Sequence, residues 1–487
     1  MNEAPISQSI LYPDNLFGFL NEDTYLNFLD NIRTRKDITY ISLTFPAAPV
    51  DPLAFLELPG QKNEFQFFWE MPEQELAISA GSELISIQAS GSSRFEDVHD
   101  QIDAIQSRTA EYSAVSHSHS GLTFLGGFSF HDENDDPLWK PFGAASFSVP
   151  EWMVIKKGNL CVLTITLDIS GCVSADQINR SVRAKLHSFS ELHSLNRNPI
   201  SENQKSESFD TGLFPNHSPD EYNRWIDSVK KAKEYIRNGY FEKIVLARAC
   251  VAEAGSKLLP ARIVNRLRSL YPNCYSFLIG KKDAGTFIGC SPERLAAFDD
   301  RLLHTEALAG SIERGVTATD DTDLARQLLD SQKNTSEHHY VIKAIEQKLK
   351  PFALNMNRNA LPGIKKYTNV QHLSTPITAQ LRTDNNRFSI LKALHPTPAV
   401  GGYPWNRAAR FLQQLEHFNR GWYAGPVGWL NGKGNGEFAV AIRSGLIRDT
   451  TAHIYAGCGI VADSDPDAEW RETNLKLMPM LSALRYD

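Results

Sequence analysis

The chain has 487 residues, of which 42% are hydrophobic and 22% charged, so it can bury a large core like an ordinary soluble globular protein. Its net charge of -7, without a dense Lys/Arg run interleaved with aromatic residues, excludes an extended basic surface for nucleic acid or membrane. We therefore expect a small-molecule partner, no nucleic acid and no membrane.

The sequence predicts neither secretion nor membrane insertion. The first residues, MNEAPISQSILYPDNLFGFL, carry early acidic residues and a proline and lack a basic segment ahead of an apolar run, unlike a signal peptide. No apolar run approaches the roughly 18 residues that a membrane-spanning helix needs. The cysteines are scattered without C-x-x-C spacing, which is typical of reduced, buried thiols. We expect a cytoplasmic protein.

The first part of the chain is rich in predicted strands. The runs GLTFLGGFSF, GAASFSVPEWMVI and NLCVLTITLDI combine β-branched and aromatic residues in the way that strands do. Residues 194–218 are polar and contain prolines, which predicts a linker or long loop. These features divide the chain into a strand-rich N-terminal half, residues 1–217, and a second region, residues 218–487.

The second region alternates predicted helices and strands. A helix begins at Pro219, with Ser218 as its cap and Glu221 completing a capping box. GYFEKIVLARACVAEA predicts a buried strand, and DTDLARQLLDSQKNTSEHHYVIKAIEQKLKPF predicts a long amphipathic helical region. WYAGPVGWLNGKGNGEFAVAIRSGLIRD and AHIYAGCGIVA predict antiparallel strands. Hairpin strands with blocks of helix indicate an α+β fold.

The last helix is predicted from its cap. Asp465 can cap and Pro466 suits the first helical position, so a helix is expected to run at least to Met478, before Pro479 kinks or ends it.

Carboxylates on two helices predict a metal site. Glu469, Glu472 and Lys476 share one face of the last helix, and Glu337 lies in the middle of another. One carboxylate from each of two helices, with a substrate oxygen, is a usual way to bind Mg²⁺. A solvated helix face with a Glu472 to Lys476 pair is the alternative, and His338 beside Glu337 matches no zinc signature.

Two further residues are candidates for acid and base chemistry. Lys243 lies in an apolar strand, where burial favours loss of its proton and hence action as a general base. Glu293 follows a strand in GCSPERL, where its carboxyl can enter a cleft. The alternatives are an edge lysine that faces water and a capping or Arg294-paired surface glutamate.

Taken together, these segments resemble the chorismate-utilising enzymes, which include isochorismate, salicylate, anthranilate and aminodeoxychorismate synthases. Residues 218–487 carry the resemblance in unbroken order through KIVLAR, SPERL, EALAGS, SEHHYV, VQHLSTPI, LHPTPAVGGYP, RGWYAGPVGW, GEFAVAIRS, YAGCGIV and EWRETNLK. The resemblance implies a large two-layered, pseudo-symmetric α+β fold with mostly antiparallel sheets, helices packed outside and a cleft between the halves. Residues 218–487 would then be the chorismate-binding catalytic region.

The resemblance also implies a metal site. Glu337 and Glu472 are expected to bind Mg²⁺ directly, and Glu469 to lie nearby or bind through water. The metal would hold the ring carboxylate of chorismate, and no other cofactor is implied.

Further positions are implied to bind the substrate. Lys476, with the backbone of Gly457 and Gly459, would bind the ring-carboxylate end, and Tyr423 with Arg443 the enolpyruvyl carboxylate. The other expected pocket residues are Ala309, Gly310, Ser311, His372 and Ala399.

Three positions discriminate within the family. Lys243 resembles the base that activates water, Ala309 replaces the nucleophilic lysine of aminodeoxychorismate synthases, and Ala399 replaces a threonine usual in salicylate and anthranilate synthases. The resemblance thus implies an isomerase of the isochorismate synthase type, and a monomer in keeping with the water-using members. Salicylate synthase is the closest alternative, followed by anthranilate synthase and a catalytically silent binding protein.

Overall fold

Two mostly antiparallel sheets that share a pair of long strands form the centre of the structure. This computed structural model describes residues 17–57, 64–172, 174–195, 219–368, 370–382 and 386–485. Most of the predicted linker, residues 196–218 with Ser218, lies outside the described residues. The mixed composition and the antiparallel pairing confirm the predicted α+β class.

The N-terminal half is mainly strand. In chain order its elements are α1 (Asp23–Arg33), β1 (Tyr40–Pro46), β2 (Gln66–Met71), β3 (Leu76–Ala89), α2 (Arg94–Gln106), β4 (Thr109–Ser113), β5 (Thr123–Phe128), β6 (Ala145–Lys157), β7 (Leu160–Asp168) and α3 (Ala175–Leu195).

The second region supplies the remaining elements. They are α4 (Pro219–Arg237), β8 (Lys243–Glu253), α5 (Pro260–Leu270), β9 (Tyr275–Lys281), β10 (Gly285–Ser291), β11 (Arg294–Asp299), β12 (Leu302–Glu313), α6 (Ala318–Asp330), α7 (Gln332–Leu349), β13 (Ala353–Arg358), β14 (Gly363–Lys366), β15 (Val370–Leu381), α8 (Arg387–Leu394), β16 (Gly402–Tyr403), α9 (Trp405–Leu415), β17 (Pro426–Asn431), β18 (Gly436–Val440), β19 (Ser444–Arg448), β20 (Thr451–Ile460) and α10 (Pro466–Leu484).

The sheets separate at the long pair β3 and β6. One end of this pair continues into the first sheet, in the order β4-β1-β7-β6-β3-β2-β9-β10-β19-β20-β8-β16. The other end continues into the second sheet, β3-β6-β5-β17-β18-β11-β12-β15, with β13 and β14 both on β15. The register of β3 shifts between Glu83 and Ile85, and such a bulge bends a strand.

The helices cover the outer faces of the sheets. Helix α7 packs on β12, α5 on β9 and β10, α10 on β20, and α2 on β3. Apolar side chains drive this packing: Phe95 of α2 stacks on Phe128 of β5 with ring centroids 3.9 Å apart. Full burial of such a side chain contributes about 1.5–3 kcal/mol. Among the described helices, none has the length and apolar character to cross a membrane.

One helix prediction needs correction, and another had left two outcomes open at Pro479. The region predicted as one long helical stretch is two helices, because Ser331 has extended backbone angles and its side chain accepts the amide of Asn334 as an N-cap. The last helix does not end at Pro479 but continues to Leu484. The proline removes a bond to the carbonyl of Leu475, whose side chain is largely exposed, so water can replace that bond. The predicted cap is present, since Asp465 accepts the amide of Ala468 at 2.8 Å.

Candidate active site

A cleft of about 350 Å³ lies between the two sheets and gathers the residues that the sequence singled out. Strands β8 and β20 form one wall, and β12 and β15 form the other, with α7 and α10 at the sides. All the predicted site residues line it: Lys243, Glu293, Ala309, Gly310, Ser311, Glu337, His372, Ala399, Tyr423, Arg443, Gly457, Gly459, Glu469, Glu472 and Lys476.

Lys243 enters the cleft from the first residue of β8. Only 9% of it is exposed, so it is not an edge lysine facing water. Its Nζ lies 2.5 Å from Oε1 of Glu337 on α7. A Cβ atom on Gly459, in the neighbouring strand β20, would lie 2.6 Å from Cε of Lys243. The absence of a side chain at Gly459 therefore gives the lysine room to reach across the cleft.

Glu293 is buried on the turn between β10 and β11, with 6% of the residue exposed. Its carbonyl accepts the amide of Val440 at 3.0 Å, and Oε1 accepts the hydroxyl of Thr397 at 3.0 Å. Burial raises the pKa of Glu293 to about 7. Arg294 instead pairs with Glu437, so the alternative of an Arg294-paired surface glutamate is wrong. A buried carboxyl that is partly protonated near neutral pH can donate a proton.

The acidic face of α10 lies along the cleft. Lys476 bonds to Oε1 of Glu472 at 2.5 Å and to the carbonyl of Gly457 at 3.1 Å. Burial by itself would raise the pKa of Glu472, but Lys476 brings it below the usual value. Burial raises the pKa of Glu469. The Glu472 to Lys476 pair of the alternative prediction is thus present, but it lines the cleft instead of a solvated face.

Glu337 is the acidic group that faces α10 from α7. Burial opposes its charge, but the Lys243 ammonium lowers the pKa of Glu337, and Glu472 acts in the opposite direction. The two carboxylates therefore lie close enough to repel each other, although each is bound to its own lysine.

The carboxylate oxygens of Glu337, Glu472 and Glu469 are the donor type that Mg²⁺ prefers. Within the described part of the chain, no three side chains of the metal-binding types converge on one point. The donor chemistry therefore fits Mg²⁺. In this structure two of the carboxylates instead form ion pairs with lysines, Glu337 with Lys243 and Glu472 with Lys476.

Polar side chains line the wall from the second sheet. Nδ1 of His372 bonds to Oγ of Ser311 at 2.7 Å, while its Nε2 is buried without a protein partner among the described residues. Burial lowers the pKa of His372 to about 3, so the ring is neutral and can serve a ligand as a hydrogen-bond partner. Gly310 has a φ of 77°, which favours glycine, and the resulting bend presents Ser311 to the histidine.

Another part of the cleft wall combines an aromatic ring and a guanidinium. Tyr423 stacks on Tyr455 with ring centroids 5.3 Å apart, and burial raises the pKa of Tyr423 to about 12, so its phenol stays protonated as a donor. Arg443 lies between β18 and β19 with a φ of 51°, and its carbonyl accepts the amide of Cys290 at 3.0 Å. A phenol and a guanidinium suit a carboxylate ligand.

Sequence reasoning missed several residues around the cleft. Thr397 bonds to Glu293, and the buried Arg420 donates to the carbonyls of Val245 and Val400, each at 2.8 Å. Both lie within quoted motifs, LHPTPAVGGYP and RGWYAGPVGW, so the motifs pointed to the segments without distinguishing these side chains. Lys333 and Asn334 also line the cleft, and no earlier signal indicated them.

Curated relatives match this chain along nearly its whole length. The isochorismate synthase MenF of Bacillus subtilis is 34% identical over 467 residues, which cover 94% of this chain and 96% of that protein. The salicylate biosynthesis isochorismate synthase of Pseudomonas aeruginosa is 34% identical over 446 residues, 91% of this chain and 90% of that protein.

A solved structure shares the fold along nearly the whole chain. The menaquinone-specific isochorismate synthase MenF from Escherichia coli superposes with a TM-score of 0.74 at 25% identity, covering 94% of this chain and 99% of that one. Residues 27–485 match the profile of the chorismate binding enzymes. The chain belongs to the chorismate binding enzyme family.

Proposed function

We propose that this protein is an isochorismate synthase, an isomerase that converts chorismate to isochorismate. The observation that carries the proposal is that Lys243 and Glu293, one basic and one acidic, are both buried and line the same cleft. The names of the relatives that cover most of the chain support it.

The reaction needs a base and an acid at different ring positions. In this proposal Lys243 first releases the proton that it carries in its ion pair with Glu337, and then removes a proton from the water that attacks ring C2. Protonated Glu293 donates a proton to the departing C4 hydroxyl, which leaves as water while the double bond migrates. The burial that raises the pKa of Glu293 to about 7 supports the acid role, because the carboxyl stays partly protonated at neutral pH. The two groups exchange protons with solvent before the next turnover.

Mg²⁺ is the proposed cofactor, held by Glu337 and Glu472, with Glu469 nearby or bound through water. When bound, the ion would neutralise the ring carboxylate of chorismate, which would otherwise be repelled by these glutamates. Lys476 and the backbone of Gly457 and Gly459 bind the same end of the substrate.

The second carboxylate of chorismate is assigned to the part of the cleft that Tyr423 and Arg443 line. Arg443 and the protonated phenol of Tyr423 bind the enolpyruvyl carboxylate there, because a guanidinium and a phenol both donate hydrogen bonds. His372, Ser311, Gly310, Ala309 and Ala399 shape the wall that faces the ring.

Product identification tests the function directly. The pure protein is incubated with chorismate and Mg²⁺, with and without ammonium. The products are separated by chromatography and identified by mass spectrometry. Isochorismate that approaches equilibrium with chorismate, without pyruvate, is the expected result. The matched control is Lys243→Ala, which retains the cleft but lacks the proposed base.

The rival functions give different products. Salicylate with pyruvate would show that Ala399 does not prevent elimination, and anthranilate formed with ammonium would overturn the assignment of Lys243. The absence of any product would favour a binding protein. The names of the relatives associate isochorismate synthases with menaquinone and salicylate biosynthesis, and we propose a route of this type for the product of this protein, acting as a monomer.

A further inference from the structure

Thr397 lies behind Glu293, outside the set of side chains that line the cleft. Its hydroxyl donates a hydrogen bond to Oε1 of Glu293 at 3.0 Å, and only 6% of Thr397 is exposed. Among the described residues, it is the only hydrogen-bond partner of the Glu293 carboxyl. Thr397 can therefore act on a bound substrate only through that carboxyl.

Both ends of this hydrogen bond are held by the backbone. The carbonyl of Thr397 accepts the amides of Val400 at 3.1 Å and of Gly401 at 2.9 Å, which fixes the turn that carries it. The backbone of Glu293 is held by Val440 and by the hydroxyl of Ser291, which accepts the Glu293 amide at 3.2 Å. With the backbone fixed on both sides, the Thr397 hydroxyl sets the orientation of the carboxyl group.

We propose that Thr397 is a positioning residue, whose hydroxyl directs the acidic proton of Glu293 to Oε2 and stabilises the carboxylate that remains after proton transfer. Oε1 is occupied as an acceptor, so the proton of the neutral acid belongs on the other oxygen. This inference rests on the proposed function, in which Glu293 is the general acid.

The surroundings of Glu293 define what removal of the hydroxyl would change. Burial raises the pKa of Glu293 to about 7 against the opposing effect of the Thr397 hydrogen bond. Glu306 of β12 raises this pKa further, whereas Arg443 and Lys243 lower it. The phenol of Tyr367 lies close by and donates to the carbonyl of Pro292 at 2.8 Å. Substitution of Thr397 leaves all these groups in place.

Thr397→Val tests the proposal, because valine has the same shape and no hydroxyl. A hydrogen bond to a charged group corresponds to a shift of about one to two pH units, so the alkaline limb of the kcat profile should move upward by that amount. The plateau kcat should fall about tenfold, since a weaker acid transfers its proton less readily. The KM for chorismate should stay within about twofold.

Thr397→Ser is the matched control. The alkaline limb of its kcat profile should lie at the same pH as in the wild type, because serine retains the hydroxyl. If the alkaline limb of the kcat profile does not move in Thr397→Val and kcat is lowered equally at every pH, Thr397 has only a packing role. That result would overturn the proposal. So would a serine variant that behaves like valine. If thermal unfolding shows that Thr397→Val is not folded, Thr397→Ala provides the same comparison. If the wild-type protein forms no isochorismate, the proposed function is overturned together with this inference. If the wild type is active but Thr397→Val does not shift the alkaline limb of the kcat profile, only this inference is overturned.

Discussion

Nζ of Lys243 lies 2.5 Å from Oε1 of Glu337, so the proposed general base and a proposed Mg²⁺ ligand form one ion pair. The pair joins the start of β8 to the middle of α7 across the cleft. It holds the lysine in position, and it links the two functions of the site in a single contact.

Lys243→Ala is expected to lower turnover by about a hundredfold to ten-thousandfold, the usual contribution of a general base, while Mg²⁺-dependent chorismate binding persists. Binding should persist because the proposed metal ligands and Arg443 are unchanged. Calorimetry and steady-state rates measure the two effects separately. Lys350→Ala, at the exposed end of α7, is the control. Loss of chorismate binding in Lys243→Ala would contradict the assignment.

Glu472→Gln is expected to weaken Mg²⁺ binding by at least about tenfold, because the amide has no charge to offer the metal. The fold should be retained, since Glu472 bonds to Lys476 at the cleft and not within a core. The Mg²⁺ concentration that gives half-maximal rate measures the effect. Glu469→Gln should have a smaller effect, consistent with a nearby or water-mediated position. An unchanged Mg²⁺ dependence in Glu472→Gln would exclude a direct ligand.

Burial of Glu293 predicts that activity and stability both decrease as the pH rises. The rate should fall as the pH rises through about 7, where Glu293 loses the proton that it donates. The raised pKa of the folded state also means that the folded protein binds more protons than the unfolded chain between about pH 4.5 and 7, so stability decreases across that window.

Glu293→Gln removes this ionisation. The variant should lose activity but gain roughly 3 kcal/mol of stability at pH 8 relative to wild type, because one pKa unit corresponds to about 1.4 kcal/mol. At pH 4 the two proteins should be nearly equal. Denaturant unfolding at both pH values checks the prediction, and an equal stability difference at both would contradict it.

Two glycines of β20 predict contrasting defects. In Gly459→Ala the new Cβ would meet Cε of Lys243 at 2.6 Å, and this flexible side chain can move aside. We expect activity to fall at least about tenfold with little loss of stability. In Gly457→Ala the Cβ would lie 2.8 Å from the backbone oxygen of Leu246, which cannot move freely, so stability should fall. Thermal unfolding and rate measurements distinguish the two variants. A Gly459→Ala protein with full activity would contradict the predicted displacement of Lys243.

The sequence predicted the residues of the site better than it predicted their contacts. Asp465 and Pro466 identified the start of α10 because capping is local. The break at Ser331 was missed, although serine is a common cap, because the amphipathic pattern continues across it. Lys243 and Glu337 are 94 positions apart, and Thr397 and Glu293 are 104 apart, so neither pair follows from local pattern. Such contacts depend on how the two sheets are placed.

The shared strands β3 and β6 have a further consequence. The described residues that line the cleft run from Lys243 to Lys476, so the N-terminal half contributes no side chain to it. Yet the N-terminal pair β3 and β6 is shared by the two sheets that carry the walls, and among the described strands it is the connection between them. Substitutions at the bend near Glu83 can therefore alter substrate affinity from outside the site. The width of the cleft can thus be changed through described residues that do not line it.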